Sequence, residues 1–351
     1  MFGTYKPEDV TILLKDISGL VKPQPTEERE RLIQSGKHYS EMLPEEYEPS
    51  PEYLKCYYDA LERYSGITAD AVAIVSEKIF SDKGEKVVLV SLARAGTSIG
   101  VLIKHFIEKK YRCKIKHYTI SIIRGRGIDK NAVNYILERH SPDAIQFVDG
   151  WTGKGAIKNQ LVEALKDFPT VEANLVVLSD PAHVADKFGT REDFLTASSC
   201  LNSTVSGLLS RTFLRGDIIG EKDFHGAAFY SHLKEKDLTY QFINCIEGKF
   251  DFSKTFASDE KIFDGAGALE EVYKIAEEFK IRDINLIKPG TGEATRVLLR
   301  RVPFKILVHS LNDQNHLGHL YQLAKEKKVE LVEYPLKNYK ACGLIRSLGD
   351  A

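Results

Sequence analysis

A short stretch around one acid, residues 144–157, carries the residue types and spacing best suited to holding a phosphate group. An apolar run ends at Asp149, a Gly-Trp-Thr-Gly-Lys-Gly turn follows, and apolar residues then recur at helical spacing. Glycines let the backbone approach a ligand closely, and free N–H groups at a helix start attract anions. The alternative is an ordinary tight turn between a strand and a helix. The residues that we expect to surround an anion are Asp149, Gly150, Thr152, Gly153, Lys154 and Gly155.

A second loop of the same kind lies upstream. Residues 87–92 are continuously apolar apart from one serine, which predicts a buried strand, and a helix is predicted over 99–111. The loop between them offers a second set of anion ligands, namely Ala93, Arg94, Ala95, Gly96 and Thr97.

Four predicted strands in this part of the chain alternate with helices, which predicts a mostly parallel sheet covered by helices on both faces. Ligands of such sheets bind in the crevice at the carboxyl ends of the strands. We therefore expect Arg124, Arg126 and Asp180, each of which follows a predicted strand, to lie near both anion loops.

A segment dense in hydroxyl groups, residues 196–212, follows the predicted sheet. Such a segment is suited to hydrogen bonds with a polar ligand, although a capped helix with small packed residues explains it equally well. The candidate ligand-contacting residues in it are Ser203, Thr204, Ser206 and Arg211.

Composition restricts the class of protein. The chain has 351 residues, 28% of them charged, and a formal net charge of -1, so bulk charge gives it no affinity for polyanions. Residues 281–351 differ, with 12 Lys and Arg against 7 Asp and Glu. Five scattered cysteines include no C-x-x-C pair, and no apolar run approaches the length of a membrane span. We expect a cytoplasmic protein with no membrane segment and no metal site of its own.

The pattern divides the chain into three parts. We predict a helical N-terminal extension over 1–75 and an α/β domain over 76–255. The extension contains a tyrosine-rich helix, whose tyrosines either pack in the core or form a hood over a site. A polar linker over 251–264 leads to a small α/β/α domain over 262–351, whose last element we predict to be a helix over 339–346.

Two of these motifs resemble those of type I phosphoribosyltransferases. Residues 87–96 are similar to that family's pyrophosphate loop, and residues 147–155 to its phosphoribosyl pyrophosphate (PRPP) motif. The resemblance implies that Asp149 binds the ribose hydroxyls, that the Thr152 turn binds the 5′-phosphate and that Mg²⁺ accompanies the ligand, near Asp149. It also implies catalytic roles for Asp149, Arg94, Arg124 and Arg126. Gly150 departs from the pattern, because family members carry a second acid there, and the turn is shortened.

The C-terminal part resembles the pelota/L7Ae-like RNA-binding domains, through residues 290–296 and 337–344. Gly292 stands where that family has an asparagine. The combination of the two domains resembles the StiP-type proteins of tellurite-resistance and stress operons. The resemblance implies RNA binding through Lys288, Gly290, Thr291, Gly292, Glu293 and Arg296.

Three functions follow from these patterns. The main prediction is a phosphoribosyltransferase-like enzyme that uses PRPP, or a related ribose 5-phosphate ligand, to make or break an N-glycosidic bond and also binds RNA. The second is a non-catalytic nucleotide- or RNA-binding protein of the stress response. The third is a cysteine protease using Cys200, with His183 or His225 as its base. The sequence leaves open the accepting base, the RNA target and whether the chain forms a homo-oligomer.

Overall fold

The computed structural model describes residues 2–255 and 267–346 and forms two α/β units joined through the segment between them. The helices of the described residues are α1 (Thr26–Gln34), α2 (Pro51–Lys83), α3 (Ala95–Tyr111), α4 (Lys130–Leu137), α5 (Ala156–Ala164), α6 (Thr239–Glu247), α7 (Gly267–Glu278), α8 (Thr291–Arg300) and α9 (Gln314–Lys327). The strands are β1 (Thr11–Ile12), β2 (Lys15–Asp16), β3 (Val88–Ala93), β4 (Lys116–Ile123), β5 (Gly127–Ile128), β6 (Ile145–Val148), β7 (Leu175–Ser179), β8 (Lys187–Thr190), β9 (Gly226–Ala227), β10 (Ile287–Pro289), β11 (Pro303–Val308), β12 (Glu330–Glu333) and β13 (Ala341–Ile345).

The central sheet confirms the predicted mostly parallel α/β fold. Its strands lie in the order β1-β4-β3-β6-β7-β8, every neighbouring pair in that row is parallel, and β5 pairs antiparallel with β4. The four predicted strands are the middle four. Because β3, β6 and β7 are buried on both faces, they are continuous apolar runs, and this is why the sequence revealed them.

The N-terminal extension is only partly helical. It contributes β1 to the edge of the central sheet and β2 to a two-stranded parallel pair with β9. Helix α2 begins at Pro51, behind the Ser50 cap, and runs across the predicted boundary at residue 75 to Lys83.

The small C-terminal unit has a four-stranded sheet in the order β10-β13-β11-β12, packed against α8 and α9. The predicted final helix over 339–346 is wrong, because its residues form β13 between β10 and β11. All five residues of β13 are buried, and a Cβ on Gly343 would lie 2.8 Å from the Val297 side chain on α8. A strand buried on both faces has no alternation that distinguishes it from a short helix.

The two units share one hydrophobic core. Side chains from α8, α9 and β11 of the C-terminal unit belong to the same buried cluster as those of α2 and α3. The C-terminal unit is therefore docked through apolar contacts, which places α8 against the loops of the N-terminal unit. The proposed linker lies largely outside the described residues, from 256 to 264, so the predicted domain boundaries stay predictions.

Candidate functional site

Two adjoining cavities lie between the loops of the central sheet and α8. The smaller, of about 260 Å³, is lined by Asp149, by residues 151–158 and by β10, and the larger has a volume of about 550 Å³ and is lined by Arg94 and Arg211. Both cavities include Lys288, Glu293 and Arg296 in their walls. The docked C-terminal unit thus closes the crevice that parallel-sheet topology predicts.

Asp149 directly follows β6 and lies in the wall of the smaller cavity. Its Oδ1 accepts a hydrogen bond of 2.8 Å from the backbone N–H of Gly150. Burial raises the pKa of Asp149 to about 7, while the Gly150 N–H and Arg296 lower it and Glu293 raises it. The carboxyl group is therefore close to half protonated at neutral pH, unlike the fully charged acceptor that the sequence suggested.

The predicted anion turn is occupied by protein contacts. Thr152 Oγ1 donates to the Asp180 carboxylate, and Lys154 Nζ donates to the carbonyl of Ile287 at 3.1 Å and to that of Ile284. The hydroxyl of Tyr339 donates to the Gly153 carbonyl at 2.6 Å. Gly155 adopts a φ of 80° and caps α5, so its conformation does require glycine.

Burial also changes the titration of Lys154. Its pKa falls to about 8, first because of burial and then because of the nearby positive charges of Lys288 and Arg124. An amine that already donates to two carbonyl groups of the C-terminal unit has little capacity left for a phosphate.

The loop after β3 divides into packing residues and one arginine directed at the larger cavity. A Cβ on Gly96 would lie 2.4 Å from the Val148 carbonyl oxygen, so this glycine permits close strand–helix contact. Thr97 Oγ1 is buried against Thr119 Oγ1 at 2.8 Å, and Ala93 and Ala95 are half-buried. Arg94 lines the larger cavity and donates to Leu209 O at 3.0 Å and to Asn202 Oδ1 at 2.8 Å.

The basic loop of Arg124 and Arg126 is held against the N-terminal extension. The Arg124 backbone accepts from His38 Nε2 at 3.0 Å and donates to Tyr39 Oη at 2.9 Å, and Arg126 forms an ion pair with Glu41. The structure brings Arg124 close enough to Lys154 to influence its pKa, but it directs Arg126 to the extension.

Asp180 is a structural carboxylate. It accepts from Thr152, from the backbone N–H groups of Val184 and Ala185 at 3.1 and 3.0 Å, and it pairs with Arg191. Burial raises its pKa above the ordinary value. With these acceptor sites filled, it stabilises the loop after β7.

The hydroxyl-rich segment is mostly satisfied internally. Ser203 donates twice to Glu46, through its backbone N–H and its hydroxyl, at 3.0 Å each, and Ser206 donates to Asn202 O at 2.7 Å. Ser199 Oγ and Thr204 Oγ1 are exceptions within this segment, because both are buried without a hydrogen-bond partner in the part of the chain that the structure describes. Of the two, Thr204 is the one that lies in the wall of the larger cavity together with Arg211.

The residues predicted to bind RNA lie on the docked side of the C-terminal unit. Thr291 donates from its N–H and its hydroxyl to the buried Asp193 carboxylate at 2.8 and 3.0 Å, and a Cβ on Gly292 would lie 3.1 Å from Ser199 Oγ. Gly290 is buried, with a φ of 102°. The remaining three, Lys288, Glu293 and Arg296, line the two cavities described above.

Two thiols lie behind this interface. Cys56 Sγ on α2 is 3.4 Å from Cys200 Sγ, and Cys200 is fully buried. The hydrogen bond with Cys56 and the burial raise the pKa of Cys200 well above that of a free thiol. Of the two predicted bases, His225 bonds through Nδ1 to Ser121 Oγ at 2.8 Å, and the His183 backbone N–H donates to the Asp180 carbonyl at 3.1 Å.

Cys56 itself lines a third cavity, of about 510 Å³, between α2 and α9. Asp59, Arg63 and His319 lie in the same wall. His319 Nε2 bonds to Thr295 Oγ1 at 2.9 Å, and Thr295 Oγ1 gives its only proton to Thr291 O at 2.8 Å. His319 must therefore donate from Nε2, which leaves Nδ1 as an acceptor that forms no hydrogen bond within residues 2–255 and 267–346.

Sequence reasoning missed Cys56 and His319. Both stand in helices whose pattern indicated only packing, and no short spacing connects them. Only the folded structure brings the two residues together, in the wall of one cavity between α2 and α9.

A match over most of the chain decides the family. The model described as "Tellurite-like stress resistance cysteine protease StiP" matches residues 3–247. The protein named "Cysteine protease StiP" from Acinetobacter baylyi is 38% identical over 366 aligned residues, covering 99% of this chain and 94% of that protein. The chain belongs to the StiP family. The model described as "PELOTA RNA binding domain" matches residues 266–347, so this StiP-family chain carries a pelota domain at its C-terminal end, as the resemblance implied.

Likeness to solved structures is weak. A hypoxanthine-guanine phosphoribosyltransferase from Bacillus anthracis has a TM-score of 0.28 and 14% identity, covering 36% of this chain and 76% of that one. A hypoxanthine phosphoribosyltransferase of Trypanosoma cruzi has a TM-score of 0.28 and 16% identity, covering 36% and 77%. Similarity at this level carries no functional argument.

The predicted phosphoribosyltransferase reaction is wrong. Both the family model and the 38% identical relative are named as cysteine proteases. The structure gives a physical reason for the error, because the turn that imitated a PRPP motif is closed by Tyr339, and Lys154 bonds to carbonyl groups of the C-terminal unit. Gly150 also leaves Asp149 without the second acid of that motif. The prediction that the enzyme is a glycosyltransferase is therefore wrong as well.

Two further observations concern cofactors and membranes. Among the described residues, no group of three or more His, Cys, Asp or Glu side chains is arranged to hold a metal ion. The Mg²⁺ prediction, which placed the ion on the bound ligand, stays a prediction. None of the helices in that part of the chain combines the length and the apolarity needed to span a bilayer.

Proposed function

We propose that this StiP-family chain is a cysteine protease of stress resistance, and that Cys56 rather than Cys200 is its nucleophile. The observation that carries the proposal is the cavity between α2 and α9, which holds a thiol and an imidazole in one wall. It adds a chemical basis to the names of the family and of the Acinetobacter relative. The described cysteines are all free thiols, which suits a reducing cytoplasm.

The two sulfur atoms have different roles. Because its hydrogen bond with Cys56 and its burial raise the pKa of Cys200, Cys200 keeps its proton and holds Cys56 Sγ through that hydrogen bond of 3.4 Å, in which either sulfur can be the donor. Cys200 is thus a positioning residue, and Cys56 faces the cavity.

His319 is the candidate acceptor of the proton, because its Nδ1 is unprotonated. Burial, with the nearby Arg63 charge, lowers the pKa of His319 to about 4, so the ring is neutral at neutral pH and Nδ1 has a free lone pair. Asp59 acts in the opposite direction and raises this pKa. A thiolate formed beside the ring would stabilise its protonated form in the same way, because opposite charges at close range favour each other.

The reaction then follows ordinary thiol chemistry. The proton of Cys56 passes to His319 Nδ1 as the sulfur attacks the peptide carbonyl carbon. The C–N bond breaks, the amine leaves with the proton from His319, and a thioester remains on Cys56. Water gives a proton to His319 and attacks the thioester, which releases a carboxylic acid and restores the thiol.

Replacing His319 with glutamine tests the base. We expect His319→Gln to lower the rate of casein hydrolysis by about 10²- to 10⁴-fold, the usual contribution of a general base. The matched control is His316→Gln, on the same helix, whose ring is bound to Asp313 outside the cavity wall. Equal hydrolysis by parent and His319→Gln, at equal melting temperature, would remove His319 from the mechanism.

We further propose that the pelota domain binds RNA and that its docked position restrains binding. The pelota match supports RNA binding, and the burial of Thr291 and Gly292 against the N-terminal unit supports the restraint. Asp193 is the main polar anchor, because it also accepts from Lys340 N at 2.8 Å.

Loosening this anchor is expected to increase RNA affinity. Asp193→Ala removes acceptors for three donors of the C-terminal unit, and we expect the full chain to bind a kinked RNA at least about tenfold more tightly, a difference of about 1.4 kcal/mol. Fluorescence anisotropy at low salt measures this, with Glu138→Ala as control, because Glu138 is exposed and pairs with Arg139 within the N-terminal unit. Binding that is equal in both proteins contradicts the restraint, and no binding in either contradicts the RNA function.

A further inference from the structure

The larger cavity between the two units concentrates positive charge. Its wall contains a cluster of six basic side chains, those of Arg29, Arg94, Arg211, Lys288, Arg296 and Arg300. Arg301, also in the wall, pairs with Glu30. Of the other acidic residues in the wall, Glu27, Glu45 and Glu48 are exposed, which leaves Glu46 and Glu293 as the partly buried counter-charges.

The guanidinium groups in this cavity disfavour one another's charge. Burial, then the charges of Arg29 and Arg94, lower the pKa of Arg211 to about 9. Burial, then Arg296 and Arg94, lower the pKa of Arg300 to about 9. The pKa of Arg94 is lowered by burial and by Arg296. Arg296 pairs with Glu293 at 3.0 Å, whereas the other guanidinium groups of this set, those of Arg29, Arg94, Arg211 and Arg300, form no ion pair within residues 2–255 and 267–346.

Several donors in the cavity also have no acceptor. Arg29 Nε and Arg300 Nε are buried without a hydrogen-bond partner in the described ranges, and Arg29 as a whole is 6% exposed. Thr204 Oγ1, in the same wall and 1% exposed, is unpartnered too. The guanidinium of Arg211 forms no hydrogen bond within residues 2–255 and 267–346; its contact is the Tyr39 ring, 5.6 Å away. Buried donors in native proteins normally find acceptors, so these donors indicate a ligand.

We propose that this cavity binds an oligophosphate, a small molecule that carries two or more linked phosphate groups. Guanidinium groups match phosphate oxygens with paired, charge-assisted hydrogen bonds. Linked phosphates place several negative charges on one compact chain. Such a chain can balance the excess positive charge of six clustered cations over two carboxylates. The volume of about 550 Å³ lies within the usual range for small-molecule sites.

The site is separate from the thiol cavity, and its existence does not depend on proteolysis. One residue connects the two, because Arg300 donates to Asn202 Oδ1 at 2.6 Å and to the Cys200 carbonyl at 2.7 Å. Arg94 shares the same Asn202 oxygen at 2.8 Å. A ligand held by these arginines would therefore contact the backbone support of the thiol pair.

Isothermal titration of the full chain with inorganic tripolyphosphate, at about physiological salt, tests the proposal. We expect tripolyphosphate to bind at least tenfold more tightly than orthophosphate and than citrate, which carries its charges as carboxylates. A parallel titration with a nucleoside triphosphate distinguishes an organic from an inorganic source. Tighter binding of the nucleotide indicates contacts to its organic part, and equal binding indicates that the phosphates alone are recognised.

Arg211→Gln is the informative variant, because this side chain makes no hydrogen bond that the fold needs. It is expected to weaken tripolyphosphate binding at least tenfold and to leave the melting temperature unchanged. The matched control is Arg215→Gln, four residues further on, whose guanidinium pairs with Asp217 outside the cavity wall. Absence of binding, equal affinity for all three anions, or parent-like binding by Arg211→Gln would each overturn the proposal.

Discussion

Replacing Cys56 with alanine is expected to lower thiol-dependent casein hydrolysis by about a thousandfold or more, because the sulfur that forms the thioester is lost. The side chain is 5% exposed and lines the cavity that also contains His319. Removing one sulfur at such a position leaves a small void, so the variant is expected to fold and to keep a cooperative unfolding transition.

The neighbouring thiol provides the discriminating comparison. Cys200→Ala removes the hydrogen-bond partner of Cys56 and is expected to reduce hydrolysis only about tenfold, because the reacting sulfur loses a contact that positions it. Cys245→Ala, on α6 and half-buried, is the control and should behave as the parent does. Full activity in Cys56→Ala, together with abolished activity in Cys200→Ala, would reverse the two assignments.

Asp149→Asn is expected to stabilise the protein, and increasingly so as pH rises. The folded-state pKa of Asp149 is about 7, above its ordinary value of 3.8, so the folded protein holds this proton more tightly than the unfolded chain does. Stability is therefore lost as pH rises from about 4 to about 7 and is constant above that. By linkage, the neutral asparagine should gain about 2 kcal/mol relative to the parent at pH 5 and about 4 kcal/mol at pH 8.

Urea unfolding of both proteins at the two pH values measures this gain. The control is Asp143→Asn, in the turn before β6, which is exposed and whose pKa is lowered by its hydrogen bond with Ser141. It should change stability little. If Asp149→Asn instead destabilises the protein equally at pH 5 and pH 8, the fold needs the charged carboxylate. Burial would then not raise the pKa of Asp149 toward neutrality.

The sequence predicted the local elements of the central sheet well and the consequences of docking poorly. Buried strands such as β3 and β6 are recognisable in the sequence as apolar runs. The parallel topology then places Arg94 and Asp149 together at the carboxyl ends of the strands. The occupation of Lys154 by the Ile284 and Ile287 carbonyls depends on a contact between distant parts of the chain, which no local pattern reports.

The same limit explains the two largest errors. The turn after β6 has the composition of a phosphate loop, yet Tyr339, near the far end of the chain, fills its approach. Cys200 stood out because it lies in a hydroxyl-rich segment, whereas Cys56 is one residue in a helix of 33. Only the packing of α9 across α2 gives Cys56 a cavity and an imidazole.

Identifying the sulfur that reacts with a substrate-like electrophile shows whether Cys56 is the nucleophile. The full chain is treated with a peptidyl chloromethyl ketone at neutral pH, digested, and each of the five cysteines is examined by mass spectrometry. We expect an adduct on Cys56. The rate of this alkylation should fall in His319→Gln and stay unchanged in His316→Gln. An adduct on Cys200 with Cys56 unmodified, or alkylation confined to the half-buried Cys113 and Cys245, would contradict this assignment.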